Sequence, residues 1–283
     1  MKIGILGSAK RGQAWEKHLR PLTVVSEVII SSNLEDIQSS DACIVVDDTA
    51  KNLDHLAETI KSGLHSYLVS QLPTDLGKIE HIYHAASEAN VHVQFSHWPS
   101  LSPSTLWMMQ QVPRPDWIQV IKENGYASFT ENKPLFRHNW IDEIALIMKW
   151  MDSNIHKLEA RQVKLQGVDT AIQIFLRFEN GATASVYYLA AGKDNRHQRV
   201  ASNNMHLVDC DVTLQHVRSI TVNEKDQLII EKKTFDATKA AETSVVQFIK
   251  AIQMNKKTAF SAHDALQTAR VIEKIDQFLK KNA

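Results

Sequence analysis

One local pattern constrains this chain more than any other. Met1 to Leu6 is a short apolar run closed by Gly7. The turn Gly7-Ser8-Ala9-Lys10-Arg11-Gly12 then leads into Gln13 to Leu19, whose composition is helix-forming until Pro21 stops it. A continuous apolar run of this length reads as a strand buried on both faces, the kind that opens a parallel sheet. A strand, glycine turn and helix in this order leave backbone N–H groups at a helix N-terminus with no side chain in front of them. A dinucleotide pyrophosphate needs that arrangement. Gly7, Ala9 and Gly12 occupy the spacing of the fingerprint, with alanine at the middle glycine position, where its methyl crowds the closest approach. The plainer alternative is a tight strand-to-helix turn that binds nothing.

The pattern continues through the first hundred residues. Thr23 to Ile30 and Ala42 to Val46 are β-branched runs, each ended by polar residues. Asn52 to Ser62 places Leu53, Leu56, Ala57 and Ile60 at a helical period, with Gly63 as its stop. A strand over Ser66 to Val69, a helix over Asp75 to Glu88 and a strand over Val91 to Phe95 follow. Strand and helix alternate, which predicts a doubly wound parallel sheet with right-handed crossovers. Only about ten residues separate Ile30 from Ala42, fewer than a crossover helix takes, so the adenosine end of a dinucleotide site is abbreviated. At the end of the second strand stand Ser31, Ser32 and Asn33, neither acidic for a ribose 2′-hydroxyl nor basic for a 2′-phosphate. Lys10 and Arg11 could supply positive charge, which inclines the choice between NAD and NADP to NADP; the alternative is two solvated surface cations.

After Pro99 the rhythm changes. Ser104 to Gln111 reads as a helix broken by Pro113 and Pro115, and Trp117 to Lys122 opens a segment of different logic. Ile141 to Met151 is a helix with a broad apolar face. Leu158 to Leu165, Ala171 to Phe178 and Ala182 to Leu189 read as strands, the last two joined by Glu179-Asn180-Gly181, a hairpin signal of the primed-turn kind. Short strands at Met205 to Val208, Asp211 to Leu214 and Leu228 to Lys232 precede closing helices at Thr243 to Gln253 and Ala262 to Leu279. The fold class is therefore α/β: an N-terminal Rossmann doubly wound parallel sheet over residues 1–112, then a C-terminal α+β domain with a mostly antiparallel open sheet over 113–283.

Composition excludes several function classes. Lys plus Arg number 32 and Asp plus Glu 32, so the electrostatic footprint of a nucleic-acid binder is missing. No apolar stretch nears the ~18 to 20 residues that cross a bilayer. Two cysteines cannot form a disulfide framework, and Cys43 reads as a small buried hydrophobe, so a reducing cytoplasm is the expected compartment. Among 13 histidines, His81 and His84 share a helix face and His92 and His97 flank a strand, but no third ligand completes a zinc spacing, and no metal site is expected. Ser96-His97 lacks a nucleophile elbow, which argues against a hydrolase.

In order over nearly the whole chain, Lys2-Ile-Gly-Ile-Leu-Gly, Asp41-Ala-Cys-Ile-Val-Val, Ala57-Glu-Thr-Ile-Lys-Ser-Gly63 before Tyr67-Leu-Val, Phe178-Glu-Asn-Gly-Ala182 and Phe260 to Glu273 resemble the glucose-fructose oxidoreductase / inositol dehydrogenase / MocA oxidoreductases. The resemblance implies NAD(P) in the first domain and hydride transfer with a sugar, polyol or related carbonyl. It also implies a homodimer or homotetramer formed through the C-terminal sheet. It fails at the catalytic positions. The family's Glu-Lys-Pro falls on Gln71-Leu72-Pro73, where leucine replaces the proton-donating lysine. The arginine usual after the fifth strand is missing from His97-Trp98-Pro99-Ser100. The His-x-x-Asp pair falls on Asn139-Trp140-Ile141-Asp142, with His138 one position early.

General acid–base help is typically worth ~10²- to 10⁴-fold, so replacements are needed if the chain is an enzyme. Asp142, His138 and His97 are the candidate catalytic groups, and Gln71 and Pro73 complete the candidate cofactor site begun by Gly7, Ser8, Ala9, Lys10, Arg11, Gly12 and Ser31. Each has a plainer alternative: Asp142 as a helix cap, His138 as a loop residue, His97 and Trp98 as packing, Gln71 as a turn residue. Trp98, Trp107, Trp117, Trp140 and Trp150 read as core packing before a substrate platform. The rival to a dehydrogenase is a catalytically silent dinucleotide- or ligand-binding sensor with the same fold.

Overall fold

The computed structural model describes residues 1–129, 135–236 and 240–281. The chain divides into two compact units. One is Met1–Leu101 with Lys239–Arg270, the other Ser102–Thr238 with Val271–Ala283. This differs from a single division at residue 112, because a helix near the end of the chain packs back into the first core.

In the first unit, β1 (Lys2–Gly7), β2 (Glu27–Ser31), β3 (Ala42–Val46), β4 (His65–Val69) and β5 (Val93–Phe95) form a five-stranded sheet in the order β2-β1-β3-β4-β5. Every pairing is parallel. The order reverses between β1 and β3, and in open α/β sheets the crevice beyond the strand ends at such a reversal is where ligands bind. Helices α1 (Ala9–Leu19), α2 (Asn52–Lys61) and α3 (Leu76–Glu88) alternate with the strands. Asp75 caps α3 by accepting the Lys78 amide at 3.0 Å. No helix joins β2 to β3; a four-residue 3-10 turn, Leu34–Ile37, spans the gap, as the short spacing requires. Ile3, Ile5, Ile44 and Tyr67 are fully buried, and Val245 and Phe248 of the returning helix Ala240–Gln253 join their cluster. The Tyr67 hydroxyl donates to Ser244 Oγ at 3.0 Å, so that helix is bound by a buried polar contact as well as by packing.

The second unit opens with α4 (Pro103–Gln111) and is built on an eight-stranded sheet. Its strands are β6 (Trp117–Gly125), β7 (Ile155–Leu165), β8 (Val168–Phe178), β9 (Thr183–Gly192), β10 (Arg196–Ser202), β11 (Leu207–Asp211), β12 (His216–Val222) and β13 (Leu228–Thr234), in the order β13-β12-β11-β10-β6-β9-β8-β7. Only β6 with β9 is parallel. β10 and β12 escape the sequence reading because polar and charged residues such as Arg199 and Ser219 stand at buried positions and break their apolar alternation. Ile172, Ile174, Leu176 and Phe178 of β8 are buried while Gln173, Phe175 and Arg177 alternate with them on an open face. Helix α5 (Phe136–Met151) packs on the buried face against β9 and β6. The β8–β9 hairpin differs in detail from the primed turn expected. Among its residues only Gly181 takes a positive φ, +86°, and the Asn180 side chain accepts the Ala182 amide at 3.1 Å. The remaining helices are α6 (Ala240–Gln253) and α7 (Ala262–Lys281). Among the described residues no helix is long and apolar enough to cross a membrane.

Candidate functional site

The glycine turn lies where the sheet reverses, since Gly7 pairs with Val46 at the ends of β1 and β3. A Cβ on Gly7 would stand 2.6 Å from the Val46 carbonyl oxygen, and one on Gly12 would stand 2.4 Å from Ile30 Cγ2. Both positions therefore demand glycine for close approach, the first to the neighbouring strand and the second for helix-on-sheet packing. Ser8 is the N-cap of α1, and its side chain makes no capping bond. The Gly12 amide, 2.9 Å from Ser8 O, returns to the cap carbonyl. Among the described residues the first-turn amides ahead of it carry no capping partner, and Ser8, Ala9, Lys10 and Arg11 are exposed around them. Ala9 is the first helical residue. The turn fits a bound diphosphate.

Charge around the turn is less open than the sequence implies. Arg11 is ion-paired with Asp48, just past β3, so the cation that inclined the reading to NADP is partly neutralised within the chain. Its neighbour Asp47 accepts the Thr49 amide at 2.8 Å, the Thr49 hydroxyl at 2.9 Å and His55 Nδ1 at 2.9 Å. Burial works to raise its pKa, but those donors outweigh burial and hold the carboxyl below its ordinary value. At the end of β2 the Ser31 hydroxyl donates to Asp36, and the Asn33 amide donates to Ser31 Oγ at 3.0 Å. Asp36 belongs to the 3-10 turn, and the sequence reading missed it because it sits five residues past the strand end instead of on it. An acidic side chain is thus folded back to the position where one was found lacking.

Beyond β4, Gln71 is exposed, Pro73 is half-buried and Leu72 is 3% exposed. Leu72 is a core residue, placed as its chemistry demands. His97 is 1% exposed, with its ring 4.5 Å from that of Phe260, and Trp98 stacks on Trp15 at 6.2 Å. His97 thus packs its ring against Phe260.

In the second unit a polar cluster interrupts the helix–sheet core. Asp142 lies in the second turn of α5, which begins at Phe136 rather than near Ile141, so it is not a helix cap. Burial pushes its pKa up to about 6, against the opposing pull of Lys122. Lys122 on β6 donates to the Asn139 carbonyl at 3.1 Å, and burial lowers its pKa despite Glu143 and Asp142. The Asn139 and Asn124 side-chain amides donate to the Tyr188 hydroxyl at 3.0 and 3.1 Å, filling both of its acceptor positions and leaving its proton to be donated. His138 is half-buried in the first turn of α5, its pKa lowered by burial and by Arg137. Beneath lies the ion pair Glu143–Arg199, both 1% exposed. Two 2.8 Å bonds join it, the Thr105 hydroxyl accepts from Arg199 at 2.7 Å, and His197 Nε2 is 2.9 Å from Glu143. Burial alone would raise the Glu143 carboxyl, but Arg199 and His197 hold it well below the usual range. Lys122, Tyr188 and Arg199 escaped the sequence reading because their partners are far away along the chain.

No protein-family model matches this sequence, and no curated protein matches it. Solved structures match over nearly its whole length. UDP-N-acetylglucosamine 3-dehydrogenase GnnA from Acidithiobacillus ferrooxidans superposes with a TM-score of 0.84 at 10% identity, covering 99% of this chain and 98% of that one. An NAD binding oxidoreductase from Klebsiella pneumoniae gives 0.83 at 13% identity, covering 100% and 97%. The dehydrogenase MviM from Clostridium difficile gives 0.79 at 12%, covering 98% and 99%. The fold is that of the glucose-fructose oxidoreductase / inositol dehydrogenase / MocA dehydrogenases. Within a glucose-fructose oxidoreductase / inositol dehydrogenase / MocA fold, the departures acquire positions: Leu72 is sealed in a core, whereas Asn139 is joined to Tyr188 and Lys122.

Proposed function

We propose that this chain is an NAD(P)-dependent oxidoreductase moving hydride to or from a small carbonyl or hydroxyl substrate such as a sugar or polyol. One observation carries the reading: the uncapped amides of α1, bracketed by two glycines that tolerate no Cβ, at the reversal point of a parallel sheet. A bound nicotinamide dinucleotide supplies the hydride. The first-turn amides of Ser8 to Arg11 hold its diphosphate, and Gln71 and Pro73 lie on the loop after β4. Asp36, positioned through Ser31, accepts from the adenosine ribose, and with Arg11 engaged by Asp48 this favours NAD over NADP. Asp142 is the proton-handling group on the substrate side. With a pKa of about 6 it exists in both protonation states near neutrality, as a general acid–base group should. Lys122 beside it stabilises the carboxylate once the proton has left, and His138, neutral near pH 7, is the second polar group of the same helix turn.

Parallel titrations with NADH and NADPH, read by fluorescence, test the reading: micromolar binding of NADH tighter than of NADPH is expected, and no binding of either at millimolar concentration removes it. Leu72 and Asn139 favour a second reading, a silent dinucleotide-binding sensor. A chain that binds NADH yet turns over no polyol or sugar in a broad panel would support it. We further propose self-association through the β7 to β9 end of the open face of the second-unit sheet, where the exposed Phe175 lies among β8 polar residues; sedimentation tests it.

A further inference from the structure

The second unit holds a recess of about 460 Å³ along β10 to β13 that the redox reading leaves unused. Arg196, Arg218 and Lys232 line it against Asp209 and Asp211, while Lys233 turns its ammonium to the opposite sheet face, 5.0 Å over the Trp107 ring and 3.3 Å from Glu231. The two carboxylates are committed within the protein. Asp209 accepts Gln198 Nε2 at 2.9 Å and pairs with Arg218, while Asp211 accepts the Leu214 amide at 3.0 Å. The Gln198 carbonyl in turn accepts from Arg196. These bonds consume acceptors and orient two guanidinium groups. Among the described residues, no hydrogen bond or ion pair engages the side chains of Lys232 and His216, which also line the recess. Arg218 and Lys232 stand directly opposite in the β12–β13 register, a like-charge pairing that the Asp209 carboxylate offsets on the Arg218 side. A recess with donors in excess and its acceptors spent is complementary to an oxyanion, and oriented arginines suit one with several oxygens.

We propose that this recess binds a small molecule through a phosphate group. Calorimetric titration of the full chain in low-salt chloride buffer tests it, with inorganic phosphate in one arm, glycerol 3-phosphate in a second to tell a phosphate ester from the free ion, and malonate in a third. Saturable phosphate binding is expected with a dissociation constant of about 1 mM or tighter. Each of Arg196→Met and Lys232→Met should weaken it about 10-fold, the loss of one charge-assisted contact. Lys157→Met, on the opposite edge strand of the same sheet, should change nothing. All three side chains are exposed, so thermal midpoints should stay at the wild-type value. Absence of saturable phosphate binding, tighter binding of malonate than of phosphate, or an equal loss in Lys157→Met would overturn the proposal. NADH titration of the same samples keeps the outcome separate from the redox reading.

Discussion

Removing the Glu143 carboxylate is the most informative perturbation of the second unit. Glu143 and Arg199 are both 1% exposed and joined by two 2.8 Å hydrogen bonds. Glu143→Leu removes both of the guanidinium's carboxylate hydrogen bonds in a buried site, leaving the Thr105 hydroxyl and the more distant Asp142 charge. Breaking one side of such a buried pair costs about 3 to 5 kcal/mol, because the orphaned charge keeps its desolvation penalty and loses its compensation. For a unit of this size that is a fall in thermal midpoint of roughly 10 °C. The double variant Glu143→Leu/Arg199→Leu removes both charges, and its stability should return to within about 1 to 2 kcal/mol of wild type. Urea unfolding followed by tryptophan fluorescence is a suitable assay, since Trp107, Trp117, Trp140 and Trp150 all lie in this unit. A single variant that loses less than about 1 kcal/mol, or a double variant whose loss equals the sum of the singles, would refute the claim that pairing, rather than packing, dominates here.

Other expected outcomes follow from the same geometry. Gly12→Ala should cost about 1 to 3 kcal/mol by overpacking against Ile30 Cγ2, and Ile30→Ala in the same chain should recover part of it, as thermal melts will show. The Asp142 carboxyl should titrate near pH 6 by carbon NMR. Its folded pKa lies above the unfolded one. The stability it contributes is therefore full below about pH 4 and lost as pH rises to about 6, a change of up to about 3 kcal/mol. Asp142→Asn should flatten stability curves across that window. Asp36→Asn should weaken NADH about 10-fold while leaving NADPH nearly unchanged, and Ala9→Gly should tighten both, each read by fluorescence titration.

Legibility followed range along the chain. The runs Ile3 to Leu6 and Ala42 to Val46, the helix from Leu53 to Ile60 and the Glu179-Asn180-Gly181 hairpin were readable because periodicity and turn chemistry act between near neighbours. Boundaries slipped where tertiary contacts extend an element: α5 starts at Phe136, which turned the supposed cap Asp142 into a residue inside the helix. The candidate site was half readable. The glycine turn announced itself, while Asp36 stayed hidden because only the 3-10 turn brings it back to Ser31.

Local composition by itself therefore determined the alternation of strand and helix, the need for glycine at the first turn and the fold class of each half. Tertiary structure decided the rest: that α6 returns to the first core, that His97 is walled in by Phe260, and that Glu143 meets Arg199 fifty-six residues away. The physical reason is one of distance. Propensity and patterning are set within a few residues, whereas burial, ion pairing and the pKa of a carboxyl such as Asp142 depend on groups that only folding brings together.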